Sequence, residues 1–529
     1  MDAVQGSASC LLYGIEQVII DYDWGTKKVQ WIRLTNCHNK LELTPDQFTA
    51  VCLISGSSIL PALPELDRDD VKPKIVAATR MLKSFGGDIN ALLRTQQNEH
   101  LVDYHRAQFA VKHPLIFREN GKIEPKDLDK SPSDYHEYVG QRLPPELYEY
   151  MCRGLVGPRI LNWRTRGELL ETPPLDGGNS STYRDLVSAK LKPIRTQTIG
   201  LTTAMLHRYF QKTDINQICW FNEQQKVPLS ITDGPDYQKN ADTWHAEGKS
   251  KPKVDAGDLL GSGLMYAVFC LSDEAKAKKT VSPRKKDSKA PLRDFEDVRA
   301  NIVWRFLHDR GYLNKDHTLS AWGKALQAAF DQAASDGTMI SQESKSEMEE
   351  AIFLAIELIR LDCLGTQMMF PAPPYSGGMG RGTDKDKSNA MLISRIACLG
   401  TVEHDKIGYT GPLSRSLLAY HQVAAVVRGA LRDLIETHAG YMFMSGSVRR
   451  VWNNPMYTNL AASLPFVEEP DLGLGLVVKS YLDELSATNG ADIEAWFHHV
   501  HNIDRNLRKA WSMWDAVCHL LSSKWKMSR

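Results

Sequence analysis

No surplus of either charge runs through this sequence: Lys+Arg and Asp+Glu both number 64, so the net charge is zero at neutral pH. A chain without a cationic field lacks the whole-molecule attraction that gathers phosphates, which leaves nucleic-acid contact to local patches. Cysteine is sparse as well. The nine residues Cys10, Cys37, Cys52, Cys152, Cys219, Cys270, Cys363, Cys398 and Cys518 are scattered, with no CxxC pair and no Cys/His group at zinc spacing. Neither a disulfide framework nor a structural zinc is expected, and a reducing compartment fits best. No stretch approaches about 18 uncharged apolar residues, and MDAVQGSASC has no basic segment followed by an apolar one, so a soluble, unexported chain is expected, with no membrane contact. No HExxH pair and no repeat period is visible either.

What is present is an ordinary globular composition, 42% hydrophobic and 24% charged over 529 residues. That excludes global disorder and allows roughly three to four domains. Leu11–Tyr13 and Gln17–Asp21 have strand-like composition, Asp23-Trp24-Gly25 signals a turn, and Val29–Leu34 returns as a hairpin strand. Thr44-Pro45-Asp46-Gln47 places an N-cap, a proline at the first helical position and a glutamine at the third, so a capped helix starts there and runs to about Ser55-Gly56. Residues 70–112 are helical by spacing, broken at Phe85-Gly86-Gly87. From 112 to 240, turns rich in Pro and Gly alternate with short segments such as Pro144–Gly154 and Thr202–Phe210. Ser272–Pro291 is a charged linker or exposed loop without core residues.

Beyond the linker, Phe295 to Leu307 recur at helical spacing, Gly311 supplies a break, Tyr312-Leu313 is a short apolar piece, and Trp322, Leu326 and Phe330 mark a second helix. Helix, short strand, helix is compatible with a winged-helix module, although a recognition helix carrying only Lys324 would read DNA poorly. A polar insert at 332–346 precedes a buried helix at Met348–Leu361, and 371–389 reads as a loop. Further helices are expected at Ser414–Thr437, Leu476–Leu485, Ala491–Val500 and Ile503–Leu520.

Near the N-terminus the residues carry a resemblance. Ser7-Ala8-Ser9-Cys10-Leu11-Leu12-Tyr13-Gly14, a ribbon, a helix and Ser55-Gly56-Ser57-Ser58-Ile59 follow the order of the structure-specific 5′ nucleases of the flap endonuclease and XPG type. In those enzymes the pattern reads Asp-x-Asp-x-Leu-x-Phe-Gly and then Leu-Gly-Ser-Asp-Tyr, so the resemblance puts Ser7, Ser9 and Ser58 where metal-binding aspartates stand. Neutral hydroxyls cannot balance two divalent cations beside a phosphate, so hydrolysis at this site is not expected. The resemblance also implies that the superfamily's other half, with its further carboxylates, would precede Met1; an open sheet edge would then need covering.

The chain as a whole is similar to the fungal Mkt1-type post-transcriptional regulators related to the XPG nucleases. The similarity rests on ordered blocks at 2–19, on LTPDQFTAVCLISGSS at 43–58, on RYFQKTDINQICWF at 208–221, and on FLHDRGYLN with HTLSAWGKAL at 306–326. It implies an α/β fold with a mainly helical remainder. The distal half of an XPG/PIN-like region with a helical extension would occupy 1–110, a mixed α+β family-specific middle domain 111–271, the charged linker or loop 272–293, and a mostly helical family-specific domain 294–529. It further implies a cytoplasmic scaffold, within ribonucleoprotein granules or outside them, acting with an ataxin-2-like poly(A)-binding-protein-associated partner and with mRNA, directly or through partners. An active Mg²⁺-dependent structure-specific 5′ nuclease in DNA repair is the alternative, and the three serines weigh against it.

Other residues invite functional readings that bland ones outweigh. Asp21 with Asp23 reads as solvated turn acids, Asp67, Asp69 and Asp70 as an acidic helix start, and Cys37-His38 as a ribbon-end polar pair. His498, His499 and His501, and the pair His308 and His317, read as structural or surface histidines. No catalytic, metal or cofactor residue is therefore assigned, and no cofactor is expected. The basic run Lys276, Lys278, Lys279, Arg284, Lys285, Lys286 and Lys289 is a solvated loop before it is an RNA contact or an import signal, since it lacks interleaved aromatics. Tyr420, Val423, Val427 and Leu431, with Met442, Phe443 and Met444, offer a partner groove whose plainer reading is core.

Overall fold

Thr44 accepts a hydrogen bond from Gln47 N–H while the Gln47 side chain accepts from Thr44 N–H, and this reciprocal cap opens the helix Pro45–Ile54. The computed structural model that shows it describes residues 3–23, 25–67, 71–95, 98–140, 142–174, 179–203, 206, 208–222, 226–229, 263–280, 292, 295–335, 342–365, 383–405, 413–448, 451, 455–485 and 497–527. The fold is mixed α/β and mostly helical, with three small sheets among the described residues, and it divides into two units, 1–145 and 146–529.

In the first unit, β1 (Val4–Gln5) runs parallel to β2 (Gln17–Asp23), which pairs antiparallel with β3 (Lys28–Arg33). The expected hairpin is present, with a bulge between Ile19 and Asp21. Leu11–Tyr13, however, is not a strand. It ends a short 3₁₀ helix, Ala8–Tyr13, because the Ser7 hydroxyl caps Ser9 N–H at one end and Gly14, at φ 78°, closes the other onto Leu11 O. A helix at Leu34–Leu41 also intervenes where a ribbon end was expected. Val18, Phe48, Val51, Leu53, Ile54, Ala78, Leu82 and Tyr104 form the core, to which the helices Val71–Ser84 and Asn98–Lys112 contribute against Pro45–Ile54. The break at Gly86-Gly87 stands as expected, and the helical stretch beyond it splits into Ile89–Leu93 and Asn98–Lys112. A hairpin of β4 (Leu115–Phe117) and β5 (Ile123–Pro125) completes the strands of this unit among the described residues.

In the second unit, β6 (Glu168–Glu171) runs parallel to β7 (Ile215–Cys219), which pairs antiparallel with β8 (Val227–Leu229). Beneath them Glu171 accepts from Arg195 and, at 2.9 Å, from Gln217 Nε2, which also donates to Val187 O at 2.8 Å. The helix Lys192–Thr203 packs on the 30-residue helix Arg415–Met444. Arg159 pairs with Asp433, and Gly157 N–H donates to Glu436 at 2.8 Å, so the residues around β6 are fixed to the same long helix.

Helix Phe295–Asp309, a bridge between Leu313 and Leu319, and helix Ala321–Ser335 follow the expected order. Several boundaries move. Residues 274–280 of the expected loop are helical, the helix Gln342–Arg360 begins inside the expected insert, and Asp384–Ala397 takes the end of the 371–389 loop. The last starts where Thr383 and Asp386 form another reciprocal cap, a signal as plain as that at Thr44. Thr202–Phe210 is not one segment, since one helix ends at Thr203 and Arg208–Lys212 opens the next. Of Ala491–Val500, residues 491–496 lie outside the described residues, and 497–500 form a turn closed by a His404–Val500 bridge. The helix Leu472–Leu485 begins before its expected start, and Ile503–Met527 extends past its expected end.

Glu357 has no exposed side-chain surface. Its carboxylate accepts from Arg310 Nη2 at 2.6 Å, Tyr312 OH at 2.7 Å and Arg360 Nη1 at 2.7 Å, and Arg360 lies 4.8 Å over the Tyr312 ring. Burial opposes the charge, but the two guanidiniums and the phenol outweigh it and hold the carboxyl below its ordinary range. Glu357→Ala would leave these donors buried around an empty site and is expected to cost about 3–5 kcal/mol in urea unfolding. A loss below about 1 kcal/mol would contradict this role.

Candidate functional site

Ser7 and Ser9 touch, with Ser9 Oγ donating to Ser7 Oγ at 3.0 Å, and Ser7 Oγ also accepts from Ser9 N–H. Ser7 thus caps the start of the short helix in which Ser9 lies. Ser58 is exposed on a different turn, where Ser57 rather than Ser58 accepts from the N–H groups of Ile59 and Leu60, at 3.3 and 3.2 Å. Among the described residues no group of three or more His, Cys, Asp or Glu is arranged to hold a metal ion. Asp23 is a turn acid: it accepts from Thr26 Oγ1 at 2.5 Å and from the N–H groups of Thr26 and Gly25, bonds that hold its carboxyl below its ordinary value. Asp21 accepts from Tyr22 N–H, Asp67 is exposed, and Asp69 and Asp70 lie outside the described residues. Cys37 and His38 sit within a helix, the His38 ring edge-on to Phe48 at 4.9 Å, and burial raises the Cys37 thiol.

The two histidine groups differ in burial. His308 and His317 have ring centroids 5.1 Å apart, and His438 Nε2 lies 3.2 Å from Asp309 Oδ2. Burial and the neighbouring His308 lower His317 to about 4, so it is neutral at physiological pH. The His498 and His499 rings lie 3.8 Å apart, tilted by 50°, and His501 Nε2 pairs with Asp405 at 2.8 Å on the surface.

Placement bears on two further expectations. Of the basic run, Lys276, Lys278 and Lys279 belong to the helix Glu274–Thr280, with Lys278 3.7 Å from Asp316, while Arg284, Lys285, Lys286 and Lys289 lie outside the described residues. Lys324 is exposed, 3.8 Å from Glu274. For the apolar face offered as a partner groove, the plainer reading as core holds: Tyr420, Val423, Val427, Leu431, Met442, Phe443 and Met444 are all buried. The 415–444 helix is packed by neighbours on several sides, and its apolar residues serve as core.

The second unit opens instead into a cavity of about 810 Å³. Phe295, Leu354, Leu399, Leu464, Phe466 and Val467 supply apolar wall, and the carboxyls come from Glu296, Glu347, Glu350, Glu468 and Glu469. Arg299 and Arg428 are the lining cations, and each is already engaged. Arg299 pairs with Glu296 at 2.7 Å; Arg428 pairs with Glu469 at 3.5 Å and donates to the carbonyls of Glu468 and Val467. Glu347 takes Lys509 Nζ at 2.9 Å and Thr401 N–H. Glu350 accepts from Phe466 N–H at 2.9 Å and Ser346 Oγ at 3.3 Å, yet burial, with Glu349 as a lesser cause, raises its carboxyl to about 7. None of these residues stands out by motif. The available signal was Glu347, Glu350 and Glu357, spaced by three and seven so that they share one face of a helix whose second half is otherwise apolar.

Among known proteins, a family described as "Temperature dependent protein affecting M2 dsRNA replication" matches twice, its N-terminal model over residues 132–221 and its C-terminal model over 305–526. The Cryptococcus neoformans protein named Post-transcriptional regulator MKT1 is 27% identical over 566 residues, covering 97% of this chain and 71% of its own. The Saccharomyces cerevisiae protein of that name is 21% identical, covering 93% and 68%, and the Trypanosoma brucei brucei one is 22% identical, covering 74% and 48%. No solved structure matches.

Glu350 yields a pH prediction. Because its carboxyl is raised from about 4.5 unfolded to about 7 folded, stability falls as pH rises through that window and levels above it, by on the order of 3 kcal/mol. Glu350→Gln removes that slope, so the difference between the two proteins' unfolding free energies should grow from pH 4.5 to 7; parallel pH profiles would contradict the assignment.

Proposed function

Because this chain belongs to the Mkt1 family of post-transcriptional regulators, we propose that it regulates messenger RNA after transcription as a scaffold without nuclease activity. The observation that carries the second half is the use of Ser7, Ser9 and Ser58, where the nuclease resemblance requires carboxylates. Two of those hydroxyls are spent on a helix cap and the third is an exposed turn residue. Two-metal hydrolysis needs ligands that carry the negative charge to offset the cations.

In this reading the first unit descends from the nuclease-like PIN fold and has lost its chemistry. The chain works in the cytoplasm, in ribonucleoprotein assemblies, with an ataxin-2-like partner that links it to poly(A)-bound messages. What supports the protein-centred part is the balanced charge and the engaged state of the arginines lining the second unit's cavity. Neither feature favours a polyanion over a protein.

Two measurements test this. The purified full chain, supplied with Mg²⁺ or Mn²⁺, is expected to leave 5′-flap and single-stranded substrates intact; chelator-sensitive cleavage would revive the nuclease reading. Tethered to a reporter message in cells, the chain should raise reporter output, and depletion of the ataxin-2-like partner should abolish the rise. Output unchanged by tethering would overturn the regulatory reading.

A further inference from the structure

A cavity of about 810 Å³ lies within the size range of ligand sites and exceeds what a single side chain needs. Its polar groups decide what it accepts. The lining glutamates outnumber the lining arginines; of the cations that contact lining residues, Lys509 is held by Glu347 at 2.9 Å and by Thr401 O at 2.6 Å, and Arg432 is paired with Glu436. Both lining arginines are spent on Glu296, Glu469 and backbone carbonyls. A phosphate or an acidic peptide entering here would therefore meet surplus carboxylate and no cation left to answer it among the lining residues.

Glu468 and Glu469 stand exposed at the rim beside Val467, which is 42% exposed, and the deeper wall is Phe295, Leu354 and Leu464. Acid at the rim above an apolar floor suits a long cationic side chain, whose methylene stem lies on apolar surface while its head meets carboxylate. We propose that this cavity docks a segment of a partner protein presenting lysine or arginine next to a large apolar residue. Such docking depends on the cavity's charges and not on the serine substitutions, so it can fail while the scaffold reading stands.

The test uses the full chain and three fluorescent probes: a decapeptide alternating lysine with leucine and phenylalanine, the same peptide with glutamate for lysine, and a uridine decanucleotide. Anisotropy should report binding of the lysine peptide alone, weakened by added salt. Glu468→Lys with Glu469→Lys reverses the rim charge on exposed side chains and should weaken binding by about tenfold or more. Ala462→Trp, an exposed lining position, should block entry by bulk without changing charge. Thermal melts matched to the parent protein establish that both variants fold. No lysine-peptide binding at concentrations on the order of 100 μM, equal binding of the glutamate peptide, or binding unaffected by both variants would overturn the proposal. Uridine binding lost in Ala462→Trp would overturn it in favour of an RNA site.

Discussion

A carboxylate with no exposed surface must find all its compensation inside the protein, and around Glu357 that need organises a large part of the second unit. Arg310 and Tyr312 come from the turn after one helix, Arg360 comes from the next turn of Glu357's own helix, and Arg360 also lies over Trp322 of a third. Each partner is buried or nearly so, and none can drift without leaving a charge unpaired. The node thereby fixes the rotation of the helix Gln342–Arg360 about its axis. Residues 347, 350, 354 and 357 share one helical stripe, so pinning Glu357 also aims Glu347, Glu350 and Leu354 into the cavity.

The second unit therefore treats buried charge in two ways on one helix. At Glu357 the donors overwhelm the desolvation cost and the carboxyl stays ionised; at Glu350, with one backbone N–H and a serine hydroxyl, burial prevails and the carboxyl titrates near neutrality. A site used for recognition tolerates the second arrangement because incoming groups can supply what the protein withholds. A node used for architecture cannot.

Local signals explain which parts were legible in the sequence. The cap at Thr44, the break at Gly86-Gly87, the β2–β3 hairpin and the long apolar helices all rest on contacts within a few residues, and they stand where spacing puts them. Leu11–Tyr13 misled because an apolar triplet fits a strand or a helical turn equally, and the arbiter was the Ser7 cap with Gly14. The apolar face at Tyr420 to Met444 read more plainly as core, yet left a groove open, since periodicity shows that a face is covered but not what covers it. The cavity was invisible for a stronger reason. It is assembled from residues between 295 and 470, and only tertiary packing brings Glu350 to Phe466 and Arg428 to Glu468.

The helix Arg415–Met444 is an unbroken rod about 45 Å long. On one stretch it carries Arg428, which shapes the cavity rim, and within two further turns Asp433 and Glu436, which grip Arg159 and Gly157 far earlier in the chain. Each residue advances such a rod by about 100°, so inserting or deleting one between 428 and 433 would swing every later contact off its mate. The segment around residue 159 and the C-terminal helices are thus geared to each other and can be inherited only as a matched pair.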